Sequence, residues 1–131
     1  MALKGRYRGP WQAERVIAGI GVDMTEISRL EHALERTPTL ARRLFAESEQ
    51  GGSVRQLAGS FAAKEAVAKA LGAPKGLRWT DVVVRREPGG RPLLELTGTV
   101  AAAAAEQGIS AWHVSISHDG GFCLAMVVAE R

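Results

Sequence analysis

The chain has 131 residues, 46% of them apolar and 24% charged, with one cysteine, Cys123. These figures fit one globular domain with its own core and exclude an intramolecular disulfide, and no apolar run approaches the roughly 20 residues of a membrane-spanning helix. A net charge of +3 and a pI near 9.5 favour an acidic partner, but no aromatic residues alternate with the basic ones as a nucleic-acid stacking platform requires.

Residues 1–15 (MALKGRYRGPWQAER) are polar and Arg-rich, without apolar period and without the continuous apolar stretch of a signal peptide. We read them as an N-terminal extension, flexible or loosely attached, and expect a single domain over 16–131. With no leader, no membrane partner and no nucleic-acid partner, and with a lone thiol, a cytoplasmic location is expected. Residues 16–22 (Val-Ile-Ala-Gly-Ile-Gly-Val) predict a strand, and period two puts Ile17, Gly19, Gly21 and Asp23 on one face. Asp23 and Glu26 have capping-box spacing, so a helix is expected to follow at once, with Ile27, Leu30 and Leu34 as its apolar stripe. Thr37-Pro38 ends that helix and can start another, Thr at the N-cap and Pro at the first helical position, with Leu40, Leu44 and Phe45 packing. Gly51-Gly52 breaks the chain, Ser53 can cap a long helix, and Gly72-Ala73-Pro74 stops it. Residues 81–87 and 92–97 read as strands joined by Pro88-Gly89-Gly90-Arg91, a hairpin signal. A short helix over 100–107, with five consecutive alanines, ends at Gly108. Residues 111–117 and 122–129 are two last strands joined around Asp119-Gly120-Gly121. This order predicts an α+β fold with a mostly antiparallel sheet packed against the long helix.

The long helix carries an anomaly. Val54, Leu57, Phe61, Ala68 and Leu71 form one apolar stripe, yet Lys64 falls inside it and Glu65 lies on its edge, one turn before Lys69. A helix that only packs needs no charges there, so another group must offset their desolvation. Glu65 and Lys69 can be an ordinary surface pair at i and i+4. Alternatively, Glu65 joins Asp23 across the fold, because two carboxylates suit Mg²⁺, which takes one or two of them together with phosphate oxygens and waters. Lys64 and Lys69 would then meet the phosphate charge. Asp23 has the same two readings, helix N-cap or metal and phosphate site, with Gly19 and Gly21 letting something approach the backbone.

Further along, His113, Ser115 and Ser117 share one face of a strand, and His118 stands at its end. Ser117, His118 and Asp119 cannot form a triad, because adjacent residues of an extended chain point to opposite sides; His118 is either structural or a terminal phosphate or base contact. Arg29, His32 and Arg36 cluster on one side of the first helix, with Arg42 and Arg43 on the next. They make either a solvated basic face or a docking face for an acidic helix.

Taken in order, four segments resemble a known family. They are Gly19-Ile20-Gly21-Val22-Asp23 with Glu26 and Arg29, Phe61-Ala62-Ala63-Lys64-Glu65-Ala66 with Lys69-Ala70, Gly90-Arg91-Pro92, and Trp112-His113-Val114-Ser115-Ile116-Ser117-His118-Asp119. The family is the 4′-phosphopantetheinyl transferases of the short, holo-acyl-carrier-protein synthase type, and the resemblance covers residues 16–131. It implies a magnesium enzyme that moves the 4′-phosphopantetheine arm of coenzyme A onto a serine of apo-acyl carrier protein, releasing adenosine 3′,5′-bisphosphate. It further implies a homotrimer with active sites between protomers. By similarity, Asp23 and Glu65 hold Mg²⁺ with the pyrophosphate; Lys69, with Lys64, contacts phosphate; and Glu65, directly or through a metal-bound water, accepts the serine proton. Gly90-Arg91-Pro92 and Ser117-His118 resemble segments that line the coenzyme A site from a neighbouring subunit. Arg29 matches the docking position for the acidic recognition helix of the carrier protein, with Arg36 on the same face.

Two departures stand against the resemblance. Ser60 occupies the place before Phe61 where the family usually has Arg, so a phosphate or packing contact is either missing or supplied by Arg55. Family members also usually begin within a few residues of the first strand, and this chain carries extra residues. Ser60 is the feature that favours the alternative, a non-catalytic module that binds coenzyme A or carrier protein without turnover.

Overall fold

In the computed structural model, which describes residues 15–131, β1 (Ile17–Glu26), β5 (Phe122–Glu130) and β4 (Ala111–Asp119) form one antiparallel sheet in that spatial order. A second antiparallel pair joins β2 (Val82–Arg86) and β3 (Pro92–Leu96). The helices are α1 (Ile27–Arg36), α2 (Leu40–Leu44), α3 (Val54–Ala70) and α4 (Gly98–Glu106), with short 3-10 turns at Glu47–Glu49 and Trp79–Asp81. The α+β class, the antiparallel pairing and the element order match expectation. The expected extension lies outside the described residues except for Arg15, whose guanidinium reaches Glu130 at 3.4 Å.

Two local expectations are corrected. β1 does not stop at Val22: its ladder with β5 continues from Asp23 opposite Ala125 to Glu26 opposite Phe122. Asp23 is therefore a strand residue, and the Asp23–Glu26 capping box does not form. Glu26 takes the N-cap position of α1 without a side-chain cap, and its carboxylate accepts from the Ser28 hydroxyl at 2.9 Å instead. A continuous partner strand satisfies more backbone groups than a local cap. The second helix begins at Leu40 rather than Pro38, because Thr37-Pro38-Thr39 forms a turn closed by the Leu40 N–H donating to the Thr37 carbonyl at 2.9 Å. Ser53 does cap α3: its Oγ accepts from the Gln56 N–H at 3.2 Å, and Gln56 Oε1 accepts from the Ser53 N–H at 2.9 Å. α3 ends where Gly72 and Ala73 enter the left-handed region, at φ 82° and 53°.

The 17-residue α3 is the centre of the fold. One core forms where its Ala62, Ala63, Ala66 and Ala70 meet Ala125 and Val127 of β5, together with Val82 and Val100. A second gathers Leu30, Leu44, Phe45, Leu57, Ala58 and Cys123 around its first turns. Burial therefore runs round most of the helix instead of following one stripe, since the sheet covers one side while β2 and the 3-10 turns cover another.

Small residues let helix and strand touch at the backbone. A Cβ on Gly19 would stand 2.0 Å from the Ala70 carbonyl oxygen, and one on Gly21 would stand 1.8 Å from that of Ala66. Only glycine fits either place. What approaches the Gly19-Gly21 backbone is thus α3 itself, and this contact brings the end of β1 beside the middle turns of the helix. On the opposite face of the sheet, no described residue covers Ile20, Val22, Met24, Phe122, Leu124 and Met126, each at least 40% exposed, an apolar patch of the kind that marks an interaction surface.

Candidate functional site

Asp23, Glu65 and Lys69 meet where β1 crosses α3. The Lys69 ammonium donates to Asp23 Oδ1 at 3.2 Å and to the Val22 carbonyl at 2.9 Å, so this lysine reaches across to the strand. The Asp23 side chain is only 17% exposed, and the Thr25 hydroxyl donates to its other oxygen at 3.4 Å. Partial burial, and then the charge of Asp23, push the Glu65 carboxyl above the usual carboxylate range, with Lys69 pulling the other way. Two carboxylates whose repulsion is only partly offset make a place for a cation.

The donor set decides which cation. Among the described residues there is no group of three or more His, Cys, Asp or Glu side chains placed to hold a metal. A closed Zn²⁺ cage is not built here, since it needs four ligands of N or S type. Two partly buried carboxylates lining one cleft fit a hard cation that keeps waters and takes substrate phosphate oxygens, so Asp23 and Glu65 suit Mg²⁺.

Both carboxylates line a cleft of about 540 Å³ whose other polar lining includes Glu26 and Arg29, and whose apolar lining includes Leu30, Leu40, Phe61 and Trp79. A smaller cavity of about 180 Å³, lined by residues such as Val67, Pro74, Leu77 and Val100, holds no carboxylate. The larger cleft is therefore the candidate site, because chemistry needs the charged groups. Arg29 and Arg36 are both exposed on α1, seven residues and so about two turns apart on one side of the helix.

Lys64 does not join this group, which corrects the expectation that it meets phosphate. Its side chain is 0% exposed and pairs with Glu49 at 2.8 Å, and its other two donors go to the Trp79 and Val82 carbonyls. Burial pushes its ammonium pKa down, with the Glu49 hydrogen bond and charge opposing. The group that offsets its desolvation is internal.

The remaining candidates lie elsewhere on the chain. Ser117 is exposed on the outer sheet face, beside Met24 and Leu124. His118 turns inward, its Nε2 3.2 Å from the Arg55 carbonyl and its ring against Gly59. Gly90, Arg91 and Pro92 form the tip of the β2–β3 hairpin, where Gly90 has φ 88° and the Glu87 N–H donates to the Arg91 carbonyl. None of these five lines the cleft. A single chain thus assembles Asp23, Glu65, Lys69 and Arg29 and leaves the other two segments apart. Two residues of the region escape sequence reasoning. Glu49 lies in a short polar run without period, and Trp79 in a 3-10 turn; the buried lysine demands a carboxylate but does not say which one.

Comparison with known proteins agrees in direction. The family described as the 4′-phosphopantetheinyl transferase superfamily matches residues 19–127. A Streptomyces coelicolor protein named holo-[acyl-carrier-protein] synthase is 60% identical over 120 residues, covering 87% of this chain and 98% of that relative. One of the same name from Salinispora arenicola is 56% identical over 122 residues, 88% of this chain and 100% of the relative. Among solved structures, Helicobacter pylori holo-[acyl-carrier-protein] synthase in complex with coenzyme A aligns with a TM-score of 0.74 at 33% identity, covering 84% of this chain and 98% of that one. The Neisseria meningitidis holo-[acyl-carrier-protein] synthase aligns with a TM-score of 0.78 at 31% identity, covering 88% and 100%.

Proposed function

The chain belongs to the 4′-phosphopantetheinyl transferase superfamily, and from that premise we propose that it is a holo-[acyl-carrier-protein] synthase. It transfers 4′-phosphopantetheine from coenzyme A to a serine hydroxyl of apo-acyl carrier protein and releases adenosine 3′,5′-bisphosphate. The observation that carries this reading is the facing pair Asp23 and Glu65, with Lys69 bound to the first, in a cleft that Arg29 also lines.

Asp23 and Glu65 would hold Mg²⁺, which supplies neutralisation of the pyrophosphate and of the developing charge on the leaving group. Beyond that, the work of this chain is positioning and electrostatics, as is usual for phosphoryl transfer. The serine oxygen forms a bond to the phosphorus on the pantetheine side while the bond from that phosphorus to the bridging oxygen breaks. The electron pair leaves with adenosine 3′,5′-bisphosphate. Glu65 accepts the serine proton on a carboxylate oxygen, directly or through a water, since a carboxylate beside Mg²⁺ would stay ionised and within reach. Lys69, held by the Val22 carbonyl, presents its charge to phosphate. Arg29 and Arg36 receive the acidic helix of the carrier protein.

The functional unit in this reading is a homotrimer. Its support is the exposed apolar sheet face and the separation of Gly90-Arg91-Pro92 and Ser117-His118 from the cleft of their own chain, which lets them line the coenzyme A site of a neighbouring protomer. No helix among the described residues is long and apolar enough to cross a membrane, in keeping with a cytoplasmic site of action. Release of adenosine 3′,5′-bisphosphate that requires coenzyme A, Mg²⁺ and apo-carrier protein together is the test. Binding of coenzyme A without release would support the non-catalytic module that Ser60 favours.

A further inference from the structure

Lys64 lies next to Glu65 on α3 but faces the interior, and its ammonium makes three hydrogen bonds: to Glu49 Oε1 at 2.8 Å, to the Trp79 carbonyl at 3.1 Å and to the Val82 carbonyl. Glu49 extends the set. Its Oε1 also accepts from the Ala46 N–H at 2.9 Å, and its Oε2 from the Val84 N–H at 3.1 Å. Four segments are tied together in this way: α3, the 3-10 turn that follows α2, the 3-10 turn at Trp79–Asp81, and β2. No buried side-chain polar atom among the described residues lacks a partner, so the node is fully satisfied.

A buried ion pair is a weak source of stability, because apolar residues of similar volume often hold a core as well. Unlike an apolar contact, it fixes direction through its hydrogen bonds. Two of the tied segments lead into walls of the cleft. Trp79 packs its ring on Phe61 with centroids 5.5 Å apart, and α2, which carries Leu40 and Leu44 of the cleft wall, ends two residues before the turn that Glu49 closes. The relation between Asp23 and Glu65 is set elsewhere, by the backbone contact of β1 with α3 at Gly19 and Gly21.

We infer that Lys64 and Glu49 are a positioning pair that sets the apolar wall of the cleft, and through it the affinity for the substrate that docks beside Arg29, while leaving the transfer step untouched. The inference rests on the reading of that substrate as the carrier protein.

The double variant Glu49→Gln/Lys64→Met removes both charges at once, so no lone charge is left buried. Lys64→Met alone leaves Glu49 to accept from the Ala46 and Val84 amides and free to take up a proton, so it too need bury no lone charge, and it serves if the double variant does not fold. Steady-state transfer is measured with the full chain, Mg²⁺, coenzyme A and apo-carrier protein, each substrate varied in turn, alongside amide hydrogen exchange over residues 79–84. The expected result is a rise of about tenfold, equivalent to ~1.4 kcal/mol, in the KM for carrier protein. The values of kcat and of KM for coenzyme A stay within about twofold, and exchange over 79–84 is faster. A smaller rise of the same pattern is expected from Lys64→Met. A folded variant with faster exchange and unchanged carrier KM overturns the inference, as does a loss confined to kcat. A wild-type chain that transfers nothing overturns the proposed function instead, and the inference with it.

Discussion

Gly21→Ala is the smallest change that separates the two carboxylates of the site. Gly21 is buried and is not among the glycines with positive φ, so alanine brings no backbone strain and the effect is purely one of space. The added Cβ would lie 1.8 Å from the Ala66 carbonyl oxygen, 2.7 Å from its carbon and 2.9 Å from the Ala70 nitrogen. All three are main-chain atoms of α3 and cannot rotate away. Restoring an ordinary C···O separation of about 3.3 Å requires β1 and α3 to part by roughly 1.5 Å. Overpacking of this kind costs about 1–3 kcal/mol, and a rigid obstacle places this case near ~3, a large share of a typical total of about 5–15 kcal/mol. Asp23 lies two residues along the same strand, while Glu65 and Lys69 flank Ala66 on the helix. A displacement of about 1 Å at a reacting centre can lower the rate about a hundredfold, so kcat at saturating substrates should fall by about that factor in protein that is still folded. Urea unfolding and transfer kinetics measure the two effects. Gly51→Ala, which meets nothing within 4 Å, is the control and should stay within about 0.5 kcal/mol of the parent. A Gly21→Ala protein with parental stability and parental kcat would refute the idea that the glycine contact sets the site.

Three other outcomes follow from the geometry. Glu65→Gln should abolish measurable transfer and weaken Mg²⁺ binding by calorimetry without lowering the thermal midpoint, because it removes a carboxylate already disfavoured by burial and by Asp23. Lys69→Met should lower transfer while changing stability by less than about 1 kcal/mol, since the lysine side chain is 52% exposed and its pair is a partly solvated one. Asp81 accepts from the Thr99 N–H at 2.7 Å and hydroxyl at 2.6 Å, bonds that hold its carboxyl below the usual range. Its contribution is therefore present above the unfolded value of about 3.9 and lost as pH falls through the lower folded value. Asp81→Ala should cost about 1 kcal/mol at neutral pH, as losing a helix cap does, with the difference from wild type narrowing in acid when both are unfolded by urea.

Local chemistry makes most of the elements legible in the sequence. Ser53 and the Gly72-Ala73-Pro74 stop bound α3 through backbone groups that only nearby residues can satisfy, and the Pro88–Arg91 turn places the β2–β3 hairpin for the same reason. Asp23 shows where local reasoning fails. Its spacing to Glu26 fits a cap, but the partner that decides its conformation is Ala125, about a hundred residues away, and no nearby residue reports that. Lys64 fails similarly. Its place on an apolar stripe signals a compensating charge, and Glu49, fifteen residues earlier, answers from a segment without periodicity. Asp23, Glu65 and Lys69 were legible as a set because a carboxylate pair with a lysine is sensible chemistry for phosphate, and the fold brings all three together. The Gly19-Gly21 spacing signalled close approach but could not distinguish a ligand from a helix.

The central claim is that Asp23 and Glu65 together make this cleft a phosphopantetheine-transfer site. Intact-mass measurement of apo-acyl carrier protein after incubation with the chain, coenzyme A and Mg²⁺ tests it most directly. The carrier should gain the mass of one phosphopantetheine arm on its serine, and the gain should vanish with chelator, with Asp23→Asn and with Glu65→Gln. An unmodified carrier with the wild-type chain, across several carrier proteins, or full modification by either carboxylate variant, would contradict it.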